Sequence, residues 1–279
     1  MTAAPWILAV LVSGGMGLLI GSFLNVVVYR VPAGMSIATP ASACPTCHTP
    51  IRAGDNVPVL SWLLLRGRCR SCATPISARY PIVELATGLF FVIVAARLWP
   101  LADVPTEARP LVGRLLALVA FLYLAAVSVA LGVIDVEHHR LPDAIVLPAY
   151  AVGLVLLGAS SALTGDWAAL LRGGVGLVGL LAFYGVAWFA YPTGMGLGDV
   201  KLAGVLGLFL AWLGWGEFAV GAFSAFLVGG LFSVALLVTR RATRKSGIPF
   251  GPWMLVGAWV GIFIGGAVFS AYLSVFGLA

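Results

Sequence analysis

The sequence predicts an all-α polytopic membrane protein of about eight transmembrane helices, with one small cytoplasmic domain between the first two. Three observations predict it. Only 9% of the 279 residues are charged and 61% are hydrophobic, whereas soluble domains carry about a quarter charged residues. The mean hydropathy of +1.08 reflects that same composition. Apolar runs near the length of about 20 residues that a bilayer core requires recur along the whole chain. Finally, the basic residues divide strongly between the two sides that those runs define.

Taken in order, the runs fall roughly at 6–29, 81–99, 111–134, 144–163, 168–191, 200–215, 217–238 and 253–276. The sixth is short. No Lys or Arg precedes the first, and it exceeds the usual core of a secretory signal, so it is expected to remain as a helix. With the N-terminus outside, the inner loops are 30–80, 135–143, 192–199 and 239–252. Arg30, Arg52, Arg66, Arg68, Arg70, Arg79, Arg140, Lys201, Arg240, Arg241, Arg244 and Lys245 lie in or beside those loops, against Arg97, Arg109, Arg114 and Arg172 outside. The formal charge of +6 therefore reports topology and contact with anionic lipid. No aromatic-interleaved basic strand or helix-turn-helix pattern points to nucleic acid. The expected domains are a first helix at 1–29, a cytoplasmic loop domain at 30–80 and a seven-helix membrane domain at 81–279.

The loop at 30–80 is too small to hold a core without a staple. It contains "CPTCHTP" and "CRSCATP", so Cys44, Cys47, Cys69 and Cys72 form two C-x2-C knuckles separated by 21 residues. Four thiolates suit tetrahedral Zn²⁺ in a closed, structural site. A redox pair is the alternative, disfavoured because cytoplasmic thiols stay reduced. His48 adjoins Cys47 but is superfluous as a ligand. The apolar stretch "VPVLSWLLL" in the same loop either packs on the cysteine module or lies on the membrane surface.

Glu84, Asp135, Glu137, Asp143 and Asp199 lie at the cytoplasmic edge of the spans, where a carboxylate is costly and usually faces a polar cavity. Asp143 follows Pro142 and reads as a helix start. Glu137, His138, His139 and Arg140 read as a solvated turn. Glu84 either pairs with Arg79 or borders a cavity. Asp135 ends the third span, where the helix dipole opposes an anion. Asp199 opens the sixth, where the dipole favours one and capping is a rival role. Brought together, two carboxylates share a proton: one activates water while the protonated partner polarises a carbonyl. The dipoles predict that Asp135 holds the proton and Asp199 is the base. Gly196 and Gly198 open the backbone to substrate, and Lys201 either orients Asp199 or meets lipid phosphate.

"GSFLNVVVYRVP" (21–32), "CPTC", "DNVPVLSWLLLRGRCRSC", "PISARYPIVEL", "IDVEHHRLPD" (134–143), "GLGDVKLAG" (196–204) and "GIPFGPWMLVGA" (247–258) together resemble the bacterial type IV prepilin peptidases, the leader peptidase/N-methyltransferases. The resemblance implies that Asp135 and Asp199 are the catalytic pair and that the four cysteines hold zinc. It further implies cleavage of a basic leader from prepilins and pseudopilins, then methylation of the new N-terminus from S-adenosylmethionine. No soluble methyltransferase pattern is visible, since "GMGLG" follows a membrane span rather than a strand. Two other classes fit parts of the pattern: a proton-coupled transporter, and a zinc-bearing assembly factor that binds pilin-like helices without cutting them.

Overall fold

A computed structural model describes residues 4–98, 107–192, 195–240 and 249–278, with backbone only at 4–6. Its long helices are α1 (Ala4–Arg30), α3 (Arg79–Leu98), α4 (Ala108–His138), α5 (Asp143–Thr164), α6 (Trp167–Ala190), α7 (Leu197–Leu213), α8 (Trp215–Val238) and α9 (Gly251–Val275), with a one-turn α2 at Leu60–Leu64. No strand is present among the described residues. Backbone polar groups in lipid must be satisfied within their own segment, so apolar runs of this length become helices.

Seven of the long helices are long and apolar enough to cross a membrane, so the chain is a multi-pass membrane protein. The eighth expected span, α7, has 17 residues, about 26 Å at 1.5 Å per residue. It is the most enclosed helix, with twelve buried residues from Asp199 to Ala211, and it packs against α5, α6, α8 and α9. Close approach to α6 depends on Gly207, where an added Cβ would collide with the Gly176 backbone. Small residues permit that approach in membranes.

The chain separates into two compact units. The first comprises Met1–Val104 with Phe121–Ala130 of α4. Within it α1 packs along α3, and the loop between them carries the cysteines. The second comprises Pro105–Ala120 and Leu131–Ala279, with α5, α6, α8 and α9 around α7 and α8 paired to α9.

Two helix boundaries differ from expectation in ways that matter. Helix α4 continues past the expected stop at residue 134 and ends at His138, where His139 takes a left-handed conformation (φ 51°) and its N–H bonds to the Asp135 carbonyl at 2.9 Å. Helix α7 starts at Leu197, so Asp199 lies in its first turn. The short α5–α6 connection turns at Gly165 (φ 81°), and the Asp166 carboxylate caps α6 by accepting from Ala169 N–H at 2.9 Å. Part of the expected inner loop 239–252 lies outside the described residues, including Arg241, Arg244 and Lys245. Asp103 and Gly194 also lie outside them.

Candidate active site and metal centre

The two aspartates occupy one unit. Asp135 sits in the last turn of α4 and is 5% exposed; Asp199 sits in the first turn of α7 and is 9% exposed. If every intervening helix crosses the membrane, the end of α4 and the start of α7 lie on the same side. The carboxylates are near enough for their charges to interact.

Their surroundings differ. Asp199 Oδ2 accepts from Gly196 N–H at 3.1 Å. This is half of a capping box, since the glycine N-cap has no side chain to complete the other half. Asp135 Oδ2 is buried with no hydrogen-bond partner among the described residues. It lies against Gly251, the first residue of α9, where an added Cβ would stand 2.6 Å from it. Leu141 links the two sides: its side chain fills the space beside both Gly198 and Gly251. The room that the missing Gly198 side chain opens is therefore taken by Leu141, at 2.9 Å from a built Cβ. Gly196 instead contributes its N–H.

An aromatic cluster adjoins the pair. Tyr184 of α6 is 2% exposed and close enough to feel the Asp199 charge. Its ring stacks on Phe226 of α8 at 5.5 Å, and Phe226 meets Phe250 at 5.4 Å, directly before Gly251. Neither Tyr184 nor Gly251 was singled out from the sequence. Gly251 lies in the quoted stretch "GIPFGPWMLVGA", but nothing local announces contact with a carboxylate over a hundred positions away.

The other candidates find distinct partners. Lys201 Nζ donates to both oxygens of Asp143 at 2.8 Å, an ion pair at the starts of α7 and α5 that is partly open to solvent. Tyr150 O–H donates to the Lys201 carbonyl, tying α5 to the same turn. Glu84 belongs to the first unit. It is buried, and its Oε2 accepts from the N–H of Val59 at 2.6 Å. Val59 has a positive φ of 60° and starts α2, so the carboxylate anchors a strained turn of the loop to α3.

In the loop, all four cysteine Sγ atoms lie within 4.8 Å of one another. Cys44 Sγ is 3.7 Å from Cys72 Sγ, and Cys47 Sγ is 4.0 Å from Cys69 Sγ. A regular tetrahedron around Zn²⁺ with Zn–S near 2.3 Å has edges of about 3.8 Å, so the cluster fits a metal. The knuckles are built alike. Cys44 N–H bonds to the Thr49 carbonyl and Cys69 N–H to the Thr74 carbonyl, at 3.0 and 2.9 Å. His48 and Ala73 occupy equivalent positive-φ positions, so His48 serves the turn. Thr49 and Thr74 place hydroxyls 3.3 and 3.2 Å from Cys47 and Cys72 Sγ. Hydrogen bonding to Thr74 brings the Cys72 thiol down to about 6, and Thr49 lowers Cys47 in the same way, which favours the thiolate at those two positions. Arg70 grips Asp55 at 2.6 to 2.9 Å and holds its carboxyl below the usual range. Leu60, Leu63 and Leu64 are all exposed, so these leucines do not pack on the cysteine module. Trp62 between them turns inward, donating Nε1–H to the Ile76 carbonyl at 3.1 Å and lying against Gly67.

A multi-pass helical membrane protein with two buried aspartates at helix ends and a four-cysteine loop defines the class. Residues 16–98 match the Bacterial Peptidase A24 N-terminal domain, and residues 121–238 match the Type IV leader peptidase family. A prepilin leader peptidase/N-methyltransferase of Aeromonas salmonicida (strain A449) is 36% identical over 97% of this chain and 95% of its own length. One of the same description from Neisseria gonorrhoeae is 36% identical over 90% and 89%. A type 4 prepilin-like proteins leader peptide-processing enzyme of Escherichia coli O78:H11 is 37% identical over 89% and 91%. No solved structure matches the chain. The chain belongs to the type IV leader peptidase family, and it is an enzyme of that protease family.

Proposed function

We propose that this enzyme is an intramembrane aspartic endopeptidase of the bacterial inner membrane. It removes the basic leader of type IV prepilins and pseudopilins at the cytoplasmic face, then methylates the new N-terminal amine from S-adenosylmethionine. The observation that carries the peptidase reading is the buried pair Asp135 and Asp199 in one unit, close enough for their charges to interact.

The two environments support an assignment of roles. Asp199 lies at the positive end of α7 and already accepts one backbone N–H, which suits an anion. Asp135 lies at the negative end of α4, and burial of an oxygen without a hydrogen bond suits the neutral form, against the opposing pull of the α9 N-terminus at Gly251. Asp199 then takes a proton from water as it attacks the scissile carbonyl. Asp135 donates its proton to the developing oxyanion, and the pair returns a proton to the leaving amine. The pair titrates as a unit. Gly196 fixes Asp199 through its N–H, and Leu141 with Gly251 fixes the Asp135 side. The aromatic surface of Tyr184, Phe226 and Phe250 suits an apolar substrate helix.

Residues 30–80 form a cytoplasmic domain held by zinc on Cys44, Cys47, Cys69 and Cys72, with Glu84 fastening it to α3. Four sulfur ligands leave no open position, so the metal supplies rigidity. The N-terminus lies outside, by the distribution of Lys and Arg.

Incubating the purified protein with a leader-bearing pilin peptide, with and without S-adenosylmethionine, tests the reading by mass spectrometry. Cleavage in both arms and a gain of one methyl group only with the donor are expected. An intact peptide in both arms refutes the peptidase assignment.

A further inference from the structure

Arg30 ends α1 and is 8% exposed. Two of its N–H groups donate to loop carbonyls, Ser36 at 2.9 Å and Pro40 at 2.7 Å. No carboxylate pairs with it among the described residues. A guanidinium offers five donors, so a buried positive charge retains N–H capacity and lacks a counter-ion. Buried charges are ordinarily paired.

Beside it runs a groove of about 310 Å³, at the lower end of the range for small-molecule sites. One wall is a single face of α1, formed by Leu19, Ser22, Phe23, Val26 and Arg30; the other is the loop at Ile37–Ser42 with Asn56. From Arg30 to Leu19 the face covers about 16 Å of helix, close to the ~15 Å depth of one hydrocarbon leaflet. Leu19 and Phe23, at the far end, are 64% and 46% exposed, so on a membrane-spanning helix the groove opens toward lipid.

We propose that this groove is a binding site for one anionic phospholipid, its phosphate paired with Arg30 and an acyl chain along Leu19, Phe23 and Val26. Charge complementarity decides the occupant. S-adenosylmethionine carries a sulfonium and an ammonium against one carboxylate, and a cavity lined by arginine with no acid opposes that net positive charge. A basic leader peptide is opposed for the same reason. The bound lipid completes the wall between α1 and the loop that leads to the first cysteine knuckle.

Native mass spectrometry of the intact protein tests this, using phosphatidylglycerol, phosphatidylcholine and inorganic phosphate as probes. Wild type is expected to retain one phosphatidylglycerol about tenfold better than phosphatidylcholine, the scale of one charge-assisted contact. Arg30→Gln keeps a side chain able to donate to the loop but removes the charge, and should abolish that preference. Val26→Trp fills the groove while leaving both Arg30 clamps, and should reduce retention of either lipid; it keeps the test valid if Arg30→Gln misfolds. Equal retention of the two lipids by wild type, or undiminished phosphatidylglycerol on Val26→Trp, overturns the proposal. So does displacement of the lipid by inorganic phosphate, which marks a free-anion site instead.

Discussion

Replacing Gly251 by alanine probes the proposed active site without replacing an acid. The added Cβ would stand 2.6 Å from Asp135 Oδ2, 3.2 Å from Leu141 Cδ2 and 3.3 Å from Asp135 Cγ. The first contact is roughly 0.9 Å shorter than the ~3.5 Å at which non-bonded heavy atoms rest. Relief requires the carboxylate to move by most of that distance, because Leu141 closes the neighbouring space. A misplacement of about 1 Å in catalytic geometry costs on the order of a hundredfold in rate. Leader cleavage by Gly251→Ala should therefore fall about tenfold to a hundredfold in kcat. Its melting temperature should stay within a few degrees, since alanine favours a helix over glycine. Gly158→Ala on α5 is the control: an added Cβ there meets nothing within 4 Å, and full activity is expected. Wild-type kcat in Gly251→Ala would refute the reasoning that packing against α9 sets the position of Asp135.

Asp143→Ala and Lys201→Ala should each leave cleavage within several-fold of wild type. Their double-mutant coupling should be at most about 1 kcal/mol by thermal melts, because the pair is partly solvated. Glu84→Ala leaves the Val59 N–H without its acceptor and should destabilise the protein by about 1–3 kcal/mol in denaturant titrations, with Glu84→Gln losing less. One zinc per chain is expected by elemental analysis, and Cys44→Ser should lower its occupancy and raise protease susceptibility across residues 30–80. The Asp55 carboxyl is held below its usual range by Arg70. The pair's support for the loop should thus be present above about pH 4, the unfolded value, and fade as pH falls through the lower folded value. Asp55→Asn should remove that share of the acid-side dependence, leaving the share due to protonation of the metal-binding thiolates, when protection of the loop from proteolysis is followed against pH.

The spans were legible because apolar length alone forces a helix in lipid, and seven of them fall within a few residues of expectation. The ends were harder. "DVEHH" looks like solvated loop, yet α4 carries it as a last turn closed by the left-handed His139, which places Asp135 inside the helix. The cysteine spacing disclosed the knuckles but not their threonines, although "CPTCHTP" and "CRSCATP" share C-x2-C-x-T-P. That repeated threonine was the available signal. Partners at long separation were illegible: Glu84 with Val59, Lys201 with Asp143, and Asp135 with Gly251 come together only when the units fold. The loop leucines had two readings in the sequence, and their exposure favours the membrane surface over internal packing.

The central claim, that Asp135 and Asp199 work as one catalytic unit, is tested most directly by single-turnover cleavage rates. Asp135→Asn, Asp199→Asn and the double variant would be measured on the same leader-bearing pilin, with methylation of a pre-cleaved pilin followed in parallel to show that each variant is folded. The account predicts that each single variant falls to the background rate of the double, since groups acting together lose their effect together, while methylation persists. Appreciable cleavage by either single variant, with the double slower still, would contradict it.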